Sequence, residues 1–133
     1  MKFNAKGFTM YKIACPILGF ENEKSLKIEK LDENFSFLVF EDGSKITVVN
    51  INVLSKVKFD FEIDQNTLSA LKISSKDDFE TYFTVVSQDP VEHSIINLVS
   101  PIFVNEKEKL VGQFVTSEKV EPYLATIDKC AAI

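Results

Sequence analysis

Apolar and polar residues alternate along most of this chain at the period of an extended strand, and helical spacing shows in only two places. From Phe79 to Ser87, the residues Phe79, Thr81, Phe83 and Val85 take one face and Tyr82, Thr84 and Val86 the other. Leu26 and Ile28 alternate with Lys27 and Glu29 in a strand predicted from Ser25 to Leu31, which the Asp32-Glu33-Asn34 turn ends. Phe35, Phe37 and Val39 point away from Leu38 and Phe40, so both faces of the next strand are apolar and a central place in the sheet is expected. Asp42-Gly43 follows and predicts a tight type I′ hairpin, in which both turn positions need positive φ. A strand over Lys45 to Ile51 must then pair with Phe35 to Phe40.

The remaining segments are shorter. Phe8 to Ile13 reads as an edge strand, and Cys15 to Glu21 as a turn set by Pro16 and Gly19. Phe59, Phe61 and Ile63 alternate with Asp60, Glu62 and Asp64 in a half-exposed strand. Asp64 or Asn66 is positioned to cap a helix of two turns at most over Gln65 to Leu71, with Leu68 and Leu71 inward. Tyr82 to Asn105 reads as strand, corner at Asp89-Pro90, strand; Pro101, which cannot donate to a ladder, marks a bend, bulge or edge. Glu106 to Lys109 forms a solvated tip before the strand Leu110 to Val115, where Gly112 permits a bulge or a close backbone approach. After Glu121-Pro122, the residues Leu124, Ile127 and Ala131 continue the helical spacing that Val120 begins, a candidate C-terminal helix that docks or frays. Seven or eight short strands with one small internal helix describe a mainly β domain over residues 1–133, an antiparallel barrel or sandwich with no parallel crossover.

Composition supplies the core and narrows the partners. Apolar residues make up 45% of 133 residues and include twelve Phe, enough for one core. No apolar run is long enough to cross a bilayer, and Asn4, Lys6 and Lys12 interrupt the N-terminus where a signal peptide would be unbroken, so a cytoplasmic protein without membrane contact is expected. Cys15 and Cys130 lie near opposite ends without metal-ligand spacing, and free thiols are favoured over a disulfide in that compartment. Twenty acidic residues face fifteen basic ones, all lysine. Without arginine the chain lacks the planar fork that reads phosphate and guanine, which argues against direct nucleic-acid binding. An acidic surface speeds encounter with basic partners, including proteins that themselves bind nucleic acid; its plain alternative role is solubility.

Reactive constellations are not found. His93, the single histidine, sits in the corner Asp89 to Ser94, where adjacent loop residues do not assemble a nucleophile, base and oxyanion site. One histidine and two remote cysteines cannot build a zinc site, and Gly7, Gly19, Gly43 and Gly112 are too scattered to cradle phosphate. The expectation is a protein that is not an enzyme and holds no cofactor or metal.

Polar residues inset in apolar strands carry a resemblance. Ser94, Asn97, Leu98, Pro101, Ile102, Asn105 and Gln113 resemble the signature region of the FliW flagellar assembly factors. Leu18-Gly19-Phe20-Glu21 is similar to that family's glycine-phenylalanine-glutamate turn, and Phe59-Asp60-Phe61-Glu62-Ile63 to its alternating aromatic and acidic segment. The chain departs from the family in lacking prolines between Ile51 and Val57, and no family pattern is legible from Glu118 onward. The resemblance implies a small split-barrel-like fold and a cytoplasmic protein that binds flagellin before export and also binds the translational regulator CsrA, relieving its repression of flagellin mRNA. Two contact surfaces are expected: Asn52 and Leu54 with Phe59, Asp60, Phe61 and Glu62, and the turn from Ile17 to Glu21, with Ile17, Phe20 and Glu21 singled out. Asn97, Pro101, Asn105 and Gln113 are expected to be structural, satisfying buried backbone. The alternative is a split-barrel flavin oxidoreductase, which would need cationic or helix-terminal phosphate contacts that the chain does not offer.

Overall fold

Strand alternation sorts the side chains into an inside and an outside, and closing the sheet on itself follows from having an apolar row on each inner face. The computed structural model describes residues 9–50, 63–86, 88–90, 93–115 and 124–126. The strands among them are β1 (Met10–Cys15), β2 (Ser25–Lys30), β3 (Phe35–Phe40), β4 (Lys45–Asn50), β5 (Glu80–Val86), β6 (Ile95–Asn97), β7 (Ile102–Asn105), β8 (Leu110–Gln113) and β9 (Leu124–Thr126). Seven of them close a barrel in the order β1-β2-β3-β4-β5-β7-β8, with β8 returning to β1. The far end of β5 leaves the barrel to pair with β6, and β6 pairs with β9.

Six seams of the barrel are antiparallel and the seventh, β1 to β8, is parallel. An odd ring cannot alternate direction all the way round, so one seam had to be parallel. This corrects the expectation of wholly antiparallel pairing, and it also moves β1 from an edge to a position between two partners. The seam is irregular: Ile13 pairs with Val111 and Cys15 with Gly112, so Ala14 is an extra residue on β1. A Cβ on Gly112 would come within 2.7 Å of the Cys15 Cβ and 3.0 Å of its backbone nitrogen, a distance only glycine tolerates.

Inside the barrel, Tyr11, Leu26, Leu38, Phe40, Val48, Tyr82, Ile102, Val104 and Val111 form the main core. A second cluster lies outside the wall, where Leu71, Phe103 and Phe114 pack with Phe79 and Ile73. The Phe79 ring meets Phe103 edge to face at 5.1 Å, a favoured aromatic geometry. Both faces of β3 are buried toward its end, at Leu38, Val39 and Phe40, as a central strand requires.

The short helix α1 (Gln65–Ala70) brings Leu71 into the second cluster. Asp64 caps it, its Oδ1 accepting from the Thr67 amide at 2.7 Å. Its other end is a Schellman motif: Lys72 takes φ +56°, its N–H donates to Ser69 and the Ile73 N–H to Leu68.

Two further expectations are corrected. The β3–β4 hairpin has a three-residue loop: Gly43 N–H donates to the Phe40 carbonyl at 3.0 Å, the Phe40 N–H to Ser44 at 2.9 Å, and only Gly43 has positive φ. The register pairing Val39 with Lys45 leaves one residue more than a type I′ turn holds, and glycine at the left-handed position forms the bulge instead. Where helical spacing suggested a C-terminal helix, Leu124–Thr126 is a strand on β6; a free edge that needs backbone partners outweighs weak local periodicity. The rest of that candidate helix, and the expected strand at 59–62, lie outside the described residues.

Gly112→Ala is expected to destabilise the protein by about 1 to 3 kcal/mol, because the Cys15 Cβ and backbone nitrogen that the new carbon would meet are fixed by the paired strand and cannot yield. Urea unfolding of the variant beside the parent measures it; an unchanged midpoint would show that the seam has slack.

Candidate functional site

Between β1 and β2 the chain makes a turn whose Phe20 N–H donates to the Ile17 carbonyl at 2.8 Å. Gly19 occupies its third position with φ +87°, where a side chain would strain the backbone although nothing stands within 4 Å. The turn is pinned on both sides. Ile17 is only 1% exposed and belongs to the barrel core, while Phe20 lies flat on Phe40, ring centroids 4.2 Å apart and planes 5° from parallel. Glu21 is exposed and its Oε2 accepts from the Gly19 amide at 3.1 Å.

Of the three turn residues singled out in sequence, Ile17 is therefore an anchor, Phe20 a half-buried lid on the barrel, and Glu21 the one free to face a partner. Leu18, inside the expected turn but not among the residues singled out, is 58% exposed between the buried Ile17 and the half-buried Phe20. The turn was marked by Gly19, but nothing in the local pattern separates Leu18 from Ile17. Asn52, Leu54, Phe59, Asp60, Phe61 and Glu62, the other predicted surface, lie outside the described residues.

The signature side chains bond backbone. Gln113 accepts at Oε1 from the Leu18 amide at 2.8 Å and donates from Nε2 to the Ser100 carbonyl at 3.0 Å, so one side chain ties the exposed turn to the bend at Pro101. Asn105, 2% exposed, donates to the carbonyls of Leu71 at 2.8 Å and Lys72 at 3.3 Å and accepts from the Glu108 amide at 3.1 Å. It joins the end of α1 to the β7–β8 hairpin. Asn97 accepts from the Val99 amide at 3.0 Å, and the fully buried Ser94 hydroxyl accepts from the Gln88 amide at 2.9 Å. The Pro101 carbonyl accepts from the Phe114 amide at 3.0 Å.

At the opposite end of the barrel two core tyrosines reach carboxylates. Tyr11 donates to Glu106 at 2.7 Å, Lys109 sits 3.1 Å from Glu106 and 5.4 Å over the Tyr11 ring, and Tyr82 donates to Glu80 at 2.7 Å. Burial, and then the neighbouring carboxylate that each phenol donates to, push both tyrosines well above the usual phenol range. Cys15 is a free, half-buried thiol whose burial likewise raises it, which works against nucleophilic use. His93 is exposed, and no group of three or more His, Cys, Asp or Glu among the described residues is placed to hold a metal. Nor is any described helix long and apolar enough to cross a membrane.

Two outcomes follow from these contacts. Gln113→Leu should lower stability by about 1 to 3 kcal/mol and speed hydrogen exchange at the Leu18 amide, since the Ser100 carbonyl and that amide each lose a partner; exchange unchanged at Leu18 would show the turn held by its anchors alone. The tyrosines bind their protons more tightly folded than unfolded, so their contribution to stability is whole below about pH 10 and declines above it, by at most about 1.4 kcal/mol per pH unit for each phenol. Chemical unfolding between pH 9 and 11 should show that fall, and a Tyr11→Phe/Tyr82→Phe variant should flatten it.

Comparison with known proteins places this arrangement. The FliW protein family model matches residues 2–125, running past Glu118 where the residue pattern alone was not legible. The flagellar assembly factor FliW of Sulfurimonas denitrificans is 31% identical over 84% of this chain and 88% of its own length. Flagellar assembly factor FliW 2 of Helicobacter hepaticus is 35% identical over 80% of this chain and 78% of its own. A crystal structure of the flagellar assembly factor FliW superposes with a TM-score of 0.79, covering 96% of this chain and 89% of that one at 20% identity, so the barrel is shared. The chain belongs to the FliW family.

Proposed function

We propose that this chain serves flagellar assembly as a cytoplasmic protein-binding module with two clients, flagellin and the translational regulator CsrA, bound by exchange. While unexported flagellin occupies it, CsrA is left to repress its target messages. Once flagellin is exported, the freed factor binds CsrA and lifts repression of flagellin mRNA. Family membership carries the reading, since the relatives are named flagellar assembly factors. Charge supports it: a net −5 with no arginine suits an RNA-binding client and repels RNA itself.

Contact is assigned to the Leu18–Glu21 turn and to the segment holding Asn52, Leu54 and Phe59 to Glu62. Flagellin is expected to lay an amphipathic terminal helix into an apolar groove. Size-exclusion chromatography of the protein with its host's flagellin, with CsrA and with both should give a complex with each and displacement in the mixture; no shift with either client would sink the proposal. Reversing charge at Asp60 and Glu62 should weaken the CsrA complex more at low than at high ionic strength, as screening of exposed charges demands.

A further inference from the structure

The two ends of the barrel differ in a way that the fold makes visible. The β1–β2 turn, the β3–β4 hairpin, the exit of β5 and the end of β8 all emerge at one end, because their strands run that way. Among the described residues, four of the five exposed large apolar side chains lie there, and Leu31 alone is at the other end. Leu18, 58% exposed, and Val115, 55% exposed, belong to the two segments that Gln113 joins. Val86 and Ile95 face each other across the β5–β6 pairing at the same end.

Carboxylates share this end. Glu21, Glu41 and Asp42 are exposed and Glu23 half-exposed, on the adjacent β1–β2 and β3–β4 loops; the nearby cations in sequence are Lys24 and Lys45, and Lys45 is turned along the wall to Glu29 at 4.0 Å. None of the four acids makes an ion pair with a described residue; at the far end Lys109 pairs with Glu106 and Lys72 with Glu108, while Asp32, Glu33 and Glu80 stand without such a pair among the described residues. Two of them are held in place: Glu41 accepts from the Ser25 hydroxyl at 2.7 Å and Glu21 from the Gly19 amide at 3.1 Å. Orienting them in advance lowers what a cationic partner would lose in ordering them.

We propose that this end of the barrel is the docking surface for a short amphipathic segment of a partner protein, with lysine or arginine along one side and aliphatic residues along the other. A second copy would set carboxylate against carboxylate, and a nucleic acid would be repelled. A wholly apolar segment would strip water from the acids without replacing it. A basic amphipathic segment satisfies both halves at once. The inference rests on the reading of the chain as a protein-binding module and adds where that binding happens and what chemistry it selects.

Titrating the isotope-labelled full chain with a synthetic lysine–leucine amphipathic helical peptide tests it by amide chemical shifts. A glutamate–leucine peptide of the same pattern is the control. Shifts should concentrate at residues 18–24, 41–44 and 113–115. Glu23→Lys/Glu41→Lys should weaken binding by about tenfold or more at low salt, the equivalent of losing about 1.4 kcal/mol, and Leu18→Ser should weaken it without altering charge. Glu33→Lys/Glu108→Lys, the same charge change at the far end, should have little effect. Shifts centred on the far end, equal weakening by the far-end variant, or equal affinity for the glutamate peptide would overturn the proposal. Clients that co-elute in chromatography while the near-end variants bind peptide as the parent does would remove this surface and leave the two-client reading standing. Peptide bound at this end with neither client co-eluting would do the reverse.

Discussion

The parallel seam between β8 and β1 is the constraint on which the rest of the structure depends. Seven strands can close only with at least one pair running the same way, and here a single such pair joins the first barrel strand to the last. Closure needs Gly112, because Cys15 leaves no room for another carbon, and it needs the extra residue at Ala14 to bring the two strands into register. Without the seam, Tyr11 and Val111 would line an open sheet and the interior would have no wall on that side. Every other seam joins an antiparallel pair, and β2–β3, β3–β4 and β7–β8 need only a short turn.

A closed barrel exposes its loops at two ends, and a small set of polar side chains decides how those loops lie. Gln113 spans the β1–β2 turn and the Ser100 bend; Asn105 spans α1 and the β7–β8 hairpin. These are side-chain bonds to backbone groups that no strand can pair, and among the described residues no buried side-chain polar atom is left without a partner. Amides suit the task because one group both donates and accepts, so a single residue can bridge two segments. That is why polar residues stand in strands otherwise built of Ile, Val and Phe.

The same economy sets the character of each end. At one, phenols from the core are capped by Glu80 and Glu106, and Lys109 and Lys72 pair with Glu106 and Glu108 beside them. At the other, Phe20 closes the barrel over Phe40, and the turn it anchors holds Leu18 out to solvent beside carboxylates that pair with no cation among the described residues. Rigid aromatic packing below and an exposed aliphatic above give a presented side chain at little entropic cost.

Period-two alternation was enough to read β2, β3, β4 and β5 within a residue or two, because each buries one face or both and a slip would turn that face to water. A cap at Asp64 or Asn66, of which the fold uses Asp64, and a bulge or close approach at Gly112, of which it shows the close approach, were legible for the same local reason: each demands a particular residue type. The turn at Gly19 was legible, but which of its neighbours would be core and which exposed was not, since Ile17 and Leu18 are alike in chemistry and differ only in what the barrel puts beneath them. Local pattern also could not show that β1 pairs with β8 or that Leu124–Thr126 joins β6, nor that Gln113 reaches Leu18. Those pairings join segments far apart along the chain, and their partners are chosen by ring closure and by backbone groups left over when the nearer pairs have formed, quantities that exist only once the chain is folded.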